Sequence, residues 1–148
     1  MKTLVLIFGY LLFNLNSFSQ SLAGIWKGTY TAYLPLTKTV NEYYKNTLKI
    51  EFLLNSDSSY LIYSYSQIPY GNGSGAENKC EIVKLSTTDD NVVLLETKVI
   101  DSKDKLVCLK KMELKLIKHK KTLTLEGKWT SSSPDCDDRG SIYLYKKL

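Results

Sequence analysis

The stretch Leu22-Ala23-Gly24-Ile25-Trp26-Lys27-Gly28-Thr29-Tyr30 is the part of this chain that points most directly to its fold. A glycine and a tryptophan two residues apart open a segment rich in strand-forming residues, and several short alternating segments follow it. Clusters of Asn, Asp, Gly and Ser separate these segments, and such residues turn a chain because they tolerate left-handed backbone and bond locally. The pattern predicts a small antiparallel β-barrel.

The alternating segments predict short strands at about 24–33, 46–54, 59–67, 78–86, 91–100, 105–118, 121–131 and 140–147. The predicted inward faces carry Leu48, Ile50, Phe52 and Leu54; Leu106, Cys108, Met112, Leu114 and Leu116; Leu123, Leu125, Gly127 and Trp129; and Ile142 and Leu144. One apolar and one polar face is typical of antiparallel sheets. We therefore expect an all-β, eight-stranded up-and-down barrel, with a β-sandwich of the same strands as the alternative.

Residues 1–19 have the pattern of a secretory signal peptide. Lys2 supplies the positive charge, 4–13 form an apolar run, and Ser17 and Ser19 are the small residues expected before a cleavage site. The apolar run is shorter than the roughly 20 residues that a membrane-spanning helix needs. We expect a signal peptide at 1–19, one barrel domain at 20–148, and a soluble protein that is secreted or periplasmic.

The basic character of the chain comes from lysine. The net charge is +5, yet Arg139 is the sole arginine, and phosphate recognition usually recruits the planar guanidinium. The sequence therefore argues against nucleic-acid binding. Lysines concentrate on the predicted hairpin of the sixth and seventh strands and mostly point outward: Lys110, Lys111, Lys115, Lys118, Lys120, Lys121 and Lys128. Such a positive face suits an anionic surface or simply keeps a monomer soluble.

The chain contains three cysteines, Cys80, Cys108 and Cys136, and an oxidising compartment favours their pairing. In an up-and-down barrel all three fall at the same end. A hairpin turning at His119-Lys120 brings Cys108 opposite Ser131, only a few residues from Cys136. We expect a Cys108–Cys136 disulfide, with other pairings open and Cys80 either buried or available for an intermolecular bond.

Gly24-Ile25-Trp26 resembles the Gly-x-Trp signature of the lipocalins and of the wider calycin superfamily, and Gly127-Lys128-Trp129 repeats the pattern. The resemblance implies a barrel that binds a ligand, without naming that ligand. Lipocalins also place a late arginine against the tryptophan of the first strand. Here Arg139 precedes the last strand and lies near Trp129, so Lys146 or Lys147 is expected to cover Trp26.

Catalytic and metal-binding patterns are weak. His119 is the sole histidine and falls at a hairpin tip, which removes the usual base for a serine or cysteine nucleophile. Asp135, Asp137 and Asp138 are interpreted as a solvated turn, with calcium binding as the alternative. We predict no enzyme activity, no cofactor and no metal site.

The predicted function is binding of a small hydrophobic, aromatic or sugar-like ligand. Trp26, Tyr30, Phe52 and Trp129 would line the interior, and the flexible segment 71–75 would lie at the entry. The alternative is a macromolecule-binding module, such as an inhibitor or assembly partner of an envelope protein. That hypothesis places the interface on residues 60–65, with Tyr63 and Tyr65 as contacts, and leaves open whether these rings point inward or outward.

Overall fold

The structure is a computed structural model that describes residues 22–33, 43–67 and 75–148. Its strands are β1 (Gly24–Tyr33), β2 (Tyr43–Leu54), β3 (Tyr60–Gln67), β4 (Glu77–Thr88), β5 (Asn91–Asp101), β6 (Lys110–Lys118), β7 (Thr122–Ser131) and β8 (Arg139–Lys147). Each strand pairs antiparallel with the next, and β8 pairs with β1, so the sheet is a closed barrel. The predicted all-β up-and-down barrel is confirmed. The predicted signal peptide and residues 68–74 lie outside the described residues.

The sixth strand is shorter than predicted. It begins at Lys110 rather than at 105, because the preceding loop is tied to β4 instead of continuing the sheet. Ser102 Oγ donates to Asn78 Oδ1 over 2.6 Å, and Asn78 Nδ2 donates to Asp104 Oδ2 over 2.6 Å. Leu106, predicted to face the core, is therefore 58% exposed.

The other predicted inward faces point as expected, with Leu54 and Cys108 as exceptions. Cys108 lies in the loop before β6, where it is half-buried and bonded to Cys136. Leu48, Ile50 and Phe52 are buried, whereas Leu54 ends its strand and is 45% exposed. Within the described ranges, no helix is long and apolar enough to cross a membrane.

The two ends of the barrel are closed differently. At one end, here called the hairpin end, short turns connect β2 to β3, β4 to β5 and β6 to β7. Ser58 and Asp89 in these turns have positive φ angles of 65° and 50°, consistent with the turn chemistry of the sequence. The opposite end, here called the disulfide end, carries the longer β5–β6 and β7–β8 connections, which the Cys108–Cys136 disulfide joins.

Two glycines in the strands allow the barrel to close. A Cβ at Gly28 would lie 2.0 Å from the Tyr143 carbonyl oxygen, and one at Gly127 would lie 2.0 Å from that of Glu113. No larger residue fits either position without moving the neighbouring strand. Glycine at such places lets a sheet bend sharply, which barrel closure requires.

The interior has two chemically distinct halves. Toward the hairpin end it is filled by buried apolar side chains, among them Leu22, Trp26, Ile50, Phe52, Val92, Leu94, Leu114, Leu125 and Leu144. Toward the disulfide end, buried polar side chains accompany Tyr30, Cys80 and Trp129, namely Asn46, Ser64, Ser66, Asn78, Glu96 and Lys110. These regions are called the apolar half and the polar half below.

Candidate functional site

The four predicted ligand-binding residues fall into two separate pairs. Trp26 and Phe52 are buried in the apolar half, on the adjacent strands β1 and β2. Tyr30 and Trp129 lie in the polar half, where their rings meet edge to face with centroids 5.7 Å apart and an interplanar angle of 79°. The sequence-predicted site is therefore not one cluster, and only the second pair lies beside charged groups.

Trp26 is held by the chain around it rather than left free. Its indole Nε1 donates to the Leu22 carbonyl oxygen over 2.9 Å. The Lys146 ammonium lies 4.9 Å from the Trp26 ring centroid and donates to the Ala23 carbonyl oxygen over 2.6 Å. Lys146 thus covers Trp26, as predicted from the position of Arg139. Partial burial lowers the pKa of Lys146.

The centre of the polar half is a buried ion pair between Glu96 of β5 and Lys110 of β6. The Lys110 ammonium lies 3.4 Å from Glu96 Oε2, and both side chains are almost fully shielded from solvent. Glu96 Oε2 also accepts from the Lys110 backbone N–H over 2.8 Å, and Oε1 accepts from Ser64 Oγ over 2.6 Å. A charge pair this deep is stable only because additional hydrogen bonds satisfy the carboxylate.

The Lys110 ammonium also faces both aromatic rings of the polar half. It lies 5.1 Å from the Tyr30 ring centroid and 5.7 Å from that of Trp129. Trp129 is oriented by its Nε1, which donates to the Thr31 carbonyl oxygen over 2.8 Å. The cation, the carboxylate and the two rings therefore form one cluster, here called the Glu96–Lys110 cluster.

The electrostatics of this cluster keep the lysine charged and its neutral neighbours protonated. Burial is the largest single effect on Lys110 and lowers its pKa, but the Glu96 carboxylate, Tyr30 and Cys80 together outweigh it and the net pKa is raised. Burial raises the pKa of Tyr30, with Lys110 opposing and Glu96 adding to the effect. Burial, followed by Glu96, raises the pKa of the Cys80 thiol to about 11, so this thiol is neutral at physiological pH.

The Cys108–Cys136 disulfide joins the β5–β6 and β7–β8 loops beside the Glu96–Lys110 cluster. Cys108 and Cys136 are bonded as predicted, while Cys80 is a buried free thiol. The Leu109 N–H donates to Ser133 Oγ over 3.0 Å, which ties the residue preceding Lys110 to the same loop. Asp138 follows on this loop, and partial burial together with Asp137 raises its pKa while Lys110 opposes the rise.

Lys110 belongs to the set of lysines predicted to point mostly outward, and it is an exception in that set. Lys110 is 3% exposed because it shares the inward side of β6 with Met112 and Leu114. Glu96 likewise follows Val92 and Leu94 in the alternation of β5. Strand parity was the available signal, since both charged residues occupy positions in phase with buried apolar residues.

Tyr63 and Tyr65 point outward on β3, which answers the question that the sequence left open. The Lys49 ammonium lies 3.6 Å from the Tyr65 ring centroid, and Lys79 lies 4.3 Å from that of Tyr63. Tyr65 Oη donates to Glu51 Oε2 over 2.9 Å. Burial and this bond to Glu51 raise the pKa of Tyr65 to about 12.

A groove of about 410 Å³ lies on the outer face of β5, β6 and β7, beside Val93 and Gly127. Its charged residues alternate in sign across the strands, with Glu113 in register with Lys128 and Lys115 with Glu126. The ion pair of Glu113 is formed with Lys111, over 3.1 Å. These opposite charges offset one another, so the groove presents no net charge. Two lysines of the predicted positive face are thereby partly neutralised.

In the part of the chain that the structure describes, no three His, Cys, Asp or Glu side chains are grouped to hold a metal ion. No protein-family model, curated protein or solved structure matches this chain. The Glu96–Lys110 cluster is therefore interpreted from its own chemistry.

Proposed function

We propose that this protein is an exported barrel that binds a small molecule in the polar half of its interior. The observation that carries the proposal is the buried Glu96–Lys110 pair, whose ammonium lies beside the rings of Tyr30 and Trp129. Burying two charges costs free energy, and apolar residues of similar volume often give equal or greater stability. A folding role alone therefore accounts poorly for this pair, whereas ligand recognition uses a few placed polar groups within an apolar frame.

Export and membership of the calycin superfamily belong to the same proposal. The signal-like pattern of residues 1–19 and the Cys108–Cys136 disulfide support export into an oxidising compartment. The Gly24-Ile25-Trp26 motif at the start of β1 and the covering of Trp26 by Lys146 support the relationship to calycins.

Native mass spectrometry of the protein exported through its own signal tests the proposal. We expect a bound mass that is present under native conditions and disappears on denaturation. The matched control is the variant Glu96→Gln/Lys110→Met, which removes both charges while retaining similar side-chain volumes. Loss of the bound mass in this variant would localise the ligand to the polar half, whereas a bare chain in the wild type would contradict the proposal.

The second candidate function is macromolecule binding through the outer face of β2, β3 and β4. One observation favours it: Leu53 and Leu61 are cross-strand partners, and both are exposed beside the outward ring of Tyr63. Adjacent exposed apolar side chains on a sheet are typical of interaction surfaces. The partner would be an envelope protein that such a module inhibits or helps to assemble.

A tyrosine exchange tests this second function without disturbing the interior. Tyr63→Ala/Tyr65→Ala should abolish capture of an envelope partner while the thermal unfolding remains cooperative. Tyr143→Ala/Tyr145→Ala is the matched control, because these exposed tyrosines lie on β8, away from that face. Equal capture by both variants would rule out the β2–β4 surface.

A further inference from the structure

Lys110 has unused hydrogen-bonding capacity. An ammonium carries three N–H donors, and Glu96 Oε2 at 3.4 Å is its sole oxygen partner among the described residues. The faces of Tyr30 and Trp129 stabilise the charge but do not replace an oxygen acceptor. A buried donor without an acceptor costs free energy, so the site favours a molecule that brings an oxygen to Lys110.

Glu96 has capacity for one further donor. A carboxylate offers about four lone-pair positions, and Glu96 accepts from Ser64 Oγ, the Lys110 N–H and the Lys110 ammonium. The pair therefore presents free donors beside one free acceptor position. A hydroxyl group, which both accepts and donates, matches this combination, and a carbonyl oxygen satisfies the lysine alone.

The charges around the pair argue against a charged ligand. Glu96 and Lys110 neutralise each other, so an added carboxylate would be an uncompensated buried anion close to Glu96. Asp138, which interacts electrostatically with Lys110 and Tyr30, adds negative charge on the same side. An added ammonium would instead lie against Lys110, so both signs of charge are disfavoured.

The two rings determine what accompanies the oxygen. Tyr30 and Trp129 are each 3% exposed, and their edge-to-face contact forms an apolar wall beside the ammonium. Flat apolar groups pack well against such rings. We propose that the ligand is an uncharged compound with a flat apolar body and a hydroxyl or carbonyl oxygen that reaches Lys110. This inference rests on the proposed function and specifies its ligand class.

Three compounds that share one ring system test the ligand class. They are 2-naphthylmethanol, which carries a neutral hydroxyl, 2-naphthoate, which carries a carboxylate, and naphthalene, which carries neither. Titration calorimetry with the disulfide-bonded domain gives each affinity. We expect the alcohol to bind about 10- to 100-fold more tightly than naphthalene, as for a hydrogen bond to a charged group. We expect the carboxylate to bind more weakly than the alcohol.

The variant Glu96→Gln/Lys110→Met provides the matched comparison. In this variant the alcohol should lose its advantage and bind like naphthalene, because the ring still packs but the ammonium is gone. Tighter binding of naphthoate than of the alcohol would overturn the ligand class and leave the proposed function standing. An unchanged advantage of the alcohol in the variant would also overturn it. Binding of none of the three compounds would overturn the ligand class as well, whereas a bare wild-type chain in native mass spectrometry would contradict the proposed function itself.

Discussion

The two halves of the barrel interior are built on the same eight strands but solve the problem of burial in opposite ways. In the apolar half, side chains such as Ile50 and Leu125 are completely buried and need only shape complementarity. In the polar half, Glu96 and Lys110 are equally buried but need specific polar partners at hydrogen-bond distance. The apolar half therefore provides stability, whereas the polar half is organised around interactions that only particular residues can make.

The largest expected effect is the loss of stability when one charge of the buried pair in the polar half is removed. Lys110→Met leaves Glu96 as a buried charge without its cation, so we expect a loss of about 3–5 kcal/mol in the free energy of unfolding. Glu96→Gln/Lys110→Met should recover most of this loss, because no unpaired charge remains. Guanidinium denaturation gives the free energy of unfolding of the wild type, of Lys110→Met and of the double variant.

A substitution in the apolar half is the reference with which the Lys110→Met variant is compared. Leu125→Met conserves volume at a fully buried site and should cost less than about 1.5 kcal/mol. If Lys110→Met were as mild as Leu125→Met, the ion pair would be unimportant for stability and the contrast between the halves would fail.

The disulfide should matter next, and mainly at its own end of the barrel. Cys108→Ser/Cys136→Ser removes a crosslink between residues 28 apart and should cost about 3 kcal/mol. Hydrogen exchange should accelerate in the segments 102–109 and 132–138, while the strands around Ile50 and Leu125 keep their protection relative to the new global stability. Equal acceleration in both halves would show that the disulfide does not act locally.

The smallest effect is a pH dependence that belongs to the polar half. Because the folded protein raises the pKa of Cys80 from 9.0 to about 11, the folded state favours the neutral thiol. This contribution is fully present below pH 9 and is lost as the pH rises toward and beyond 11. The stability difference between wild type and Cys80→Ala should shrink by on the order of 1 kcal/mol over that range. A difference that stays constant would contradict burial of a titrating thiol.

The fold could be predicted closely because its signals are local. The turn residues mark the strand ends, and the alternation of Leu48, Ile50 and Phe52 identifies the inward face. The Cys108–Cys136 pairing was predicted from a hairpin at His119, whose N–H donates to the Thr122 carbonyl oxygen over 2.8 Å. The predicted register was wrong by two residues, because Ser131 pairs with Lys110 and not with Cys108. The start of β6 was predicted five residues too early because Asn78, a distant residue, captures the preceding loop.

The candidate site could be predicted only in part. Tyr30 and Trp129 were recognised as inward aromatic residues, and they do lie together. Lys110 was grouped with lysines that mostly point outward, although it alternates in phase with Met112 and is buried. Glu96 carried the same parity signal in β5.

Most strands, the turns, most inward faces and the disulfide could be predicted from the sequence, because each depends on neighbours a few residues away or on one hairpin. The start of β6, the burial of Lys110 and the outward direction of Tyr63 and Tyr65 were not predicted. Only the tertiary structure decided which inward residues meet. Ser64 on β3 reaches Glu96 on β5 although β4 lies between these strands, and Lys110 on β6 faces Tyr30 on β1. Those contacts exist because closing the sheet brings non-adjacent strands face to face across the interior, a consequence of curvature that no short sequence pattern encodes.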